Sequence, residues 1–141
     1  MKRAALLLAA GLVALSPALA ATRRATPPPK ASFTEVQANE GARLYAVRCA
    51  MCHGPMLSGT VEIPGLTGKF MANWAGRPVG DLFDYVSRAM PQPAPGSLSD
   101  ADNVRLVAFL LRANGVQAGS VPLPADSATL QRMALAPVPP R

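Results

Sequence analysis

A small helical domain is what this sequence of 141 residues predicts. Three observations carry that expectation. Behind Thr34, the positions Gly41, Leu44, Tyr45 and then Arg48 or Cys49 recur at three- and four-residue steps, the spacing of one face of an α-helix. Behind Ser99, the positions Val104, Val107, Ala108 and Leu111 form a second stripe, widened by Leu106, Phe109 and Leu110, and both stretches open on a hydroxyl able to cap a helix. Between them, Gly54 to Gly80 is broken by Pro55, Gly59, Pro64, Gly65, Gly68, Gly76 and Pro78. A connection of that length in a compact domain is usually functional or wrapped on something.

Taken in order, Met1–Ala20 reads as a secretory signal: Lys2-Arg3, an apolar run from Ala4 to Leu15, and Ala18-Leu19-Ala20 as a small-residue cleavage site. The run is shorter than the ~20 residues of a membrane span, so cleavage after Ala20 is favoured over retention as an anchor. Residues 21–31, with Arg23-Arg24 and Pro27-Pro28-Pro29, lack apolar periodicity and read as a flexible arm. The folded domain is expected over 32–116. Thr34 opens its first helix with Gln37 as the return half of a capping box. Gly41 inside that helix costs roughly 1 kcal/mol against Ala, which makes sense if a second helix backbone crosses there. Thr67 to Trp74 is read as a helical turn carrying Phe70, Met71 and Trp74. Asp81 to Ala89 follows as a short helix with Leu82, Tyr85, Val86 and Ala89 on one side. It must end at Met90, because Pro91 disfavours the α conformation in the residue before it. Pro91, Pro93 and Pro95 then stiffen the connection. Ser99, with Asp102, starts the strongest helix, and Asn114-Gly115 stops it. Residues 117–141 are a Pro- and Ala-rich extension with a turn of helix over Ser127–Met133 and a disordered end.

The formal charge is +6, but it is carried by the ends of the chain. From Ala31 to Ser120 seven basic residues face seven acidic ones. A near-neutral fold argues against nucleic acid as a partner. No stretch after the leader is long or apolar enough to span a membrane.

The chemistry is confined to Cys49-Ala50-Met51-Cys52-His53, which holds both cysteines and the single histidine. Cys-x-x-Cys-His is the attachment pattern of c-type haem. Two intervening residues set both sulfurs within reach of the two vinyl groups of one porphyrin, and the next residue brings an imidazole to the iron. A local disulfide or a thioredoxin-like pair would also use Cys-x-x-Cys, but no run of β-branched residues surrounds it. Zinc would find three ligands here where a structural site takes four. Aromatic content of 5% suits a core completed by a prosthetic group. With no second histidine, the sixth ligand is a methionine, a weaker donor, water or nothing. Met51 and Met56 lie too close to His53, and Met133 falls in the extension, which leaves Met71 and Met90. Met90 is favoured because Pro91 ends its helix and stiffens the segment after it; as the alternative it would fill the core. Histidine with methionine raises the potential and leaves no vacancy for substrate.

These residues resemble the single-haem class I cytochrome c family. The likeness is carried by Gly41-x-x-Leu44-Tyr45, Cys49-x-x-Cys52-His53-Gly54, Ile63-Pro64-Gly65-Leu66, Met90-Pro91 and Val107-Ala108-Phe109-Leu110. It implies an all-α fold whose first and last helices cross around one covalent haem c held by Cys49 and Cys52, with Gly41 and Tyr45 meeting Phe109. It implies that the Pro64 carbonyl accepts a hydrogen bond from the His53 ring, and that Leu66 lines the haem pocket. Trp74 would approach a propionate through its indole N–H or serve as packing, and Arg77 would face either a propionate or solvent. Haem attachment in that family places the protein in the periplasm. A further similarity, through Phe70-x-x-Asn73-Trp74-Ala75-Gly76-Arg77-Pro78, Pro95-Gly96-Ser97-Leu98-Ser99-Asp100, Ala113-Asn114-Gly115 and Leu123-Pro124-Ala125-Asp126, is to cytochrome subunits that serve pyrroloquinoline-quinone-dependent alcohol and sugar dehydrogenases. The chain is too short to hold the propeller of such an enzyme. The function this implies is electron transfer rather than catalysis: electrons received from a quinoprotein dehydrogenase and passed to a terminal oxidase or another cytochrome. The alternatives are a haem enzyme or sensor with an open sixth site, or a subunit of a larger oxidoreductase complex.

Overall fold

The computed structural model describes residues 27–135. The expected leader, residues 21–26 of the expected arm and the last six residues lie outside the described residues. Among those described there are helices and two isolated β-bridges but no strand. In chain order the helices are α1 (Glu35–Arg48), α2 (Ala50–His53), α3 (Lys69–Ala72), α4 (Val79–Ala89), α5 (Asp100–Ala113) and α6 (Ser127–Leu130).

Helices α1 and α5 cross, and Gly41 sets how closely. A Cβ there would lie 2.9 Å from the Phe109 Cβ and overlap the Arg105 carbonyl, so only glycine lets the two backbones meet. One turn on, the Tyr45 and Phe109 rings pack with centroids 5.1 Å apart. Arg105 joins Glu40 and Asp102 at 2.9 Å each, and Arg112 joins Glu35 at 2.8 Å. These partly exposed pairs contribute at most about 1 kcal/mol each. At the start of α1, Thr34 Oγ1 accepts from Gln37 N at 3.1 Å, but the capping box does not close. The buried Gln37 amide instead donates to the Leu123 carbonyl at 2.9 Å and accepts from the Leu123 N–H at 3.0 Å. An amide taken out of water needs both its donor and its acceptor satisfied, and one extended residue of the C-terminal segment offers both.

Helix α4 begins at Val79, two residues before the expected start. Its buried face is Val79, Leu82, Phe83 and Val86, while Tyr85, expected inside, is 45% exposed. The helix is sandwiched between α5 and the C-terminal segment, which draws Phe83 inward.

One core cluster holds Phe33, Met71, Val79, Leu82, Phe83, Val104, Val107, Leu111 and Leu130, and a second holds Tyr45, Leu57, Leu66, Leu106 and Leu110. The C-terminal segment belongs to the first: Leu123, Leu130 and Leu135 are buried in it. Its helical turn is shorter than expected, ending at Leu130. Beyond it, Ala31 N donates to the Ala134 carbonyl at 3.0 Å and Ala134 N to Pro29 at 2.9 Å; on the other edge Val79 N donates to Met133 at 2.9 Å and Leu135 N to Arg77 at 3.1 Å. Residues 29–31, read as part of an arm, are thus tied down. Single leucines that drop into gaps from irregular backbone leave no periodicity to read.

Candidate functional site

Helix α1 ends at Cys49, whose N–H donates to the Tyr45 carbonyl at 2.9 Å, and the single turn of α2 follows. Cys52 N and His53 N both return to the Cys49 carbonyl, at 3.1 and 2.9 Å. That turn brings residues 49, 52 and 53 to one side, since positions three and four apart share a helix face. Both thiols are unpaired, Cys49 half-buried and Cys52 exposed. Burial pushes the Cys49 thiol up, the neighbouring Arg48 opposes it and Cys52 adds a smaller push upward.

His53 Nδ1 lies 3.0 Å from the Pro64 carbonyl oxygen. A carbonyl only accepts, so Nδ1 carries the proton and Nε2 keeps its lone pair. The loop that presents Pro64 is fastened at several points. Gly59 N donates to His53 O at 2.9 Å, and Leu66 N to Leu57 O at 2.8 Å. At Gly59, φ is +70° and a Cβ would fall 2.5 Å from Gly65 N, so the loop can fold back on itself only with glycine there. The far end is held by Asn114, read from sequence only as a helix stop. It is fully buried; its Nδ2 donates to the Leu66 and Leu110 carbonyls at 2.9 and 2.8 Å, and its Oδ1 accepts from Gly68 N at 3.2 Å. Tyr45 OH donates to the Gly54 carbonyl just after the motif. Burial first, and Cys49 second, push the Tyr45 phenol up to about 12.

These elements enclose a cleft of about 1130 Å³ whose lining includes all the site residues expected from the sequence: Cys49, Cys52, His53, Pro64, Leu66, Trp74 and Met90. Met90 reaches it as the C-cap of α4, its N–H on the Val86 carbonyl at 3.0 Å. Met71, the other candidate, is fully buried in the core and does not line the cleft. Met51 lies within the attachment turn at the cleft's rim and is 92% exposed, and Met133 packs against the first core cluster. Trp74 sits on the cleft wall with its ring 5.5 Å from that of Tyr85 and 6.2 Å from that of Phe70. Arg77 places its guanidinium 4.9 Å over the Trp74 ring and pairs with Asp81 at 2.8 Å.

Among the described residues no group of three His, Cys, Asp or Glu side chains converges as a metal cage. An apolar cleft with two unpaired thiols on one turn, an imidazole whose free nitrogen is the metal-binding one, and a thioether entering from α4 fits a covalently bound haem.

Comparison with known proteins agrees. Residues 36–110 match the family model described as cytochrome c oxidase, cbb3-type, subunit III. A thiosulfate dehydrogenase from Stutzerimonas stutzeri (strain A1501) is 32% identical over 78 residues, half of this chain. The chain spans only a quarter of that relative's length. Among solved structures, the sulfane dehydrogenase SoxCD from Paracoccus pantotrophus superposes with a TM-score of 0.54 at 26% identity, covering 89% of this chain and 67% of that one. These relatives are named for sulfur compounds, where the sequence had pointed to quinoprotein alcohol and sugar dehydrogenases. The all-α fold, the attachment motif and the match over more than half its length together make this chain a member of the cytochrome c family described by that model, carrying haem c.

Proposed function

We propose that the protein is an exported carrier of single electrons in which His53 and Met90 are the axial ligands of the haem iron. The observation that supports this best is the convergence of Cys49, Cys52, His53 and Met90 on one cleft while Met71 is committed to the core. When bound, haem c supplies a reversible one-electron couple. The chain's own groups set its conditions. Cys49 and Cys52 would hold the ring, and the His53–Pro64 hydrogen bond fixes the tautomer and orientation of the imidazole and raises its basicity. The Met90 thioether would be the second protein ligand of the iron, a donor that raises the potential. Leu66, Leu98, Leu106 and Leu110 give the cleft an apolar lining. Trp74 and Arg77 offer an indole N–H and a guanidinium at its wall, where propionates would find donors.

Export rests on the leader, with cleavage after Ala20 and residence in the periplasm. No described helix is long and apolar enough to cross a membrane. For the electron donor we favour a separate dehydrogenase acting on reduced sulfur compounds, a reading supported by the relatives. A quinoprotein alcohol or sugar dehydrogenase is the second reading, supported by the Asn73-Trp74-Ala75-Gly76-Arg77-Pro78 and Pro95-Gly96-Ser97-Leu98 stretches. A terminal oxidase or another cytochrome would take the electron onward.

Absorption spectra of the purified protein, with a pyridine haemochrome assay, should give thioether-linked haem and a sulfur-to-iron charge-transfer band in the ferric form. Rapid carbon monoxide binding by the protein as isolated would point instead to a haem enzyme or sensor. Stopped-flow reduction by a purified thiosulfate-oxidising dehydrogenase and by a quinoprotein dehydrogenase separates the two donor readings.

A further inference from the structure

We infer that the C-terminal segment from Leu123 to Leu135 is the element that positions the sixth ligand, by clamping α4 and so holding Met90 at the cleft. The inference rests on the proposed axial role of Met90. The segment lies beyond the family-matched stretch, which ends at residue 110, and its grip on α4 is concentrated in that helix's first half. Val79 N donates to the Met133 carbonyl at 2.9 Å. Ser127 Oγ donates to Asp84 Oδ1 at 2.7 Å, and Gln131 Nε2 reaches Asp81 Oδ1 at 3.1 Å and Asp84 Oδ2 at 3.2 Å. Leu130, fully buried, sits in one core cluster with Val79, Leu82, Phe83 and Val86. At Gly80 the two backbones nearly touch: a Cβ would lie 2.7 Å from Gln131 N and 2.8 Å from two of its side-chain carbons.

Met90 packs at the edge of the first core cluster, and the chain after it adds little to that hold. Residues 92–97, which follow it, are exposed and closed by their own turns, Ala94 N to Pro91 O at 2.9 Å and Ser97 N to Ala94 O at 3.3 Å. Its side-chain link to α1 is a long one, Arg48 Nη2 to Ser97 Oγ at 3.4 Å. The helix therefore fixes the ligand, and an 11-residue helix moves as a rod. Shifting its start shifts its end. A ligand is only as well placed as the groups behind it.

The test uses the full-length holoprotein and reads imidazole binding at the ferric iron, with the sulfur-to-iron band as second signal. Gly80→Ala adds a Cβ that forces the Gln131 backbone away while α4 itself gains helix propensity, so α4 stays helical as its clamp is displaced. The double variant Ser127→Ala/Gln131→Ala removes the side-chain joints to Asp81 and Asp84 without new bulk and stands in should Gly80→Ala fail to fold. With haem attached and helicity unchanged, both should bind imidazole at least tenfold more tightly than the natural protein and lose part of the charge-transfer band. Variants as resistant as the natural protein overturn the inference while leaving Met90 as ligand. If the natural protein already binds imidazole as readily as Met90→Ala does, the ligation reading fails and this inference with it.

Discussion

Two side chains carry the sharpest residue-scale expectations. Met90→Ala should leave haem attached through Cys49 and Cys52 but open the iron to carbon monoxide and lower its potential, since a thioether ligand favours the ferrous state. An unchanged ferric spectrum would mean that another group is axial. Tyr45 gives a pH dependence. Its buried phenol donates a hydrogen bond to the Gly54 carbonyl, and burial raises its pKa to about 12. Above about pH 10 the unfolded chain gives up that proton while the folded one keeps it, so folding stability is complete below pH 10 and falls as pH climbs towards 12. Thermal melts from pH 9 to 12 should show this slope in the natural protein and a shallower one in Tyr45→Phe. Residue identity made the haem-attachment motif readable in advance, because two sulfurs and an imidazole have few uses at that spacing. Asn114 escaped for the opposite reason. Asn before Gly is a common helix stop, and nothing local reveals that its amide also holds the Leu66 and Gly68 backbone.

At the scale of elements, the crossing of α1 and α5 is the joint most sensitive to one carbon. Gly41→Ala should gain helix propensity, yet the added Cβ meets the Arg105 backbone and Phe109. Overpacking of this kind costs about 1–3 kcal/mol, more than the roughly 1 kcal/mol that Ala returns. Denaturant melts should therefore show a net loss of stability, and a gain would mean the helices separate without penalty. The helices themselves were legible from caps and stripes, within two residues at each start. Two details were not. Gln37 turned from the capping box to Leu123, and α4 buried Phe83 in place of Tyr85. In both, a partner distant in sequence outcompeted the local rule.

At the scale of the whole molecule, the cleft of about 1130 Å³ lies against the second core cluster and is walled by Leu66, Leu98, Leu106 and Leu110. A chain this small buries a modest core, and one with so large an apolar hollow depends on what fills it. His53→Ala or the double Cys49→Ala/Cys52→Ala variant should yield apoprotein that is largely unfolded by circular dichroism; a compact, fully helical apo form would contradict this. By itself the sequence determined the cofactor chemistry and the order of the main helices, because ligand identity, caps and apolar period are local properties written within a few residues. Only the tertiary structure decided that Met90 lines the cleft while Met71 is committed to the core, and that the Pro- and Ala-rich C-terminal segment belongs to the core. Those outcomes depend on isolated residues meeting partners about fifty or more positions away, such as Leu123 on Gln37 and Gln131 on Asp81, and three-dimensional packing sets such meetings without leaving a periodic trace.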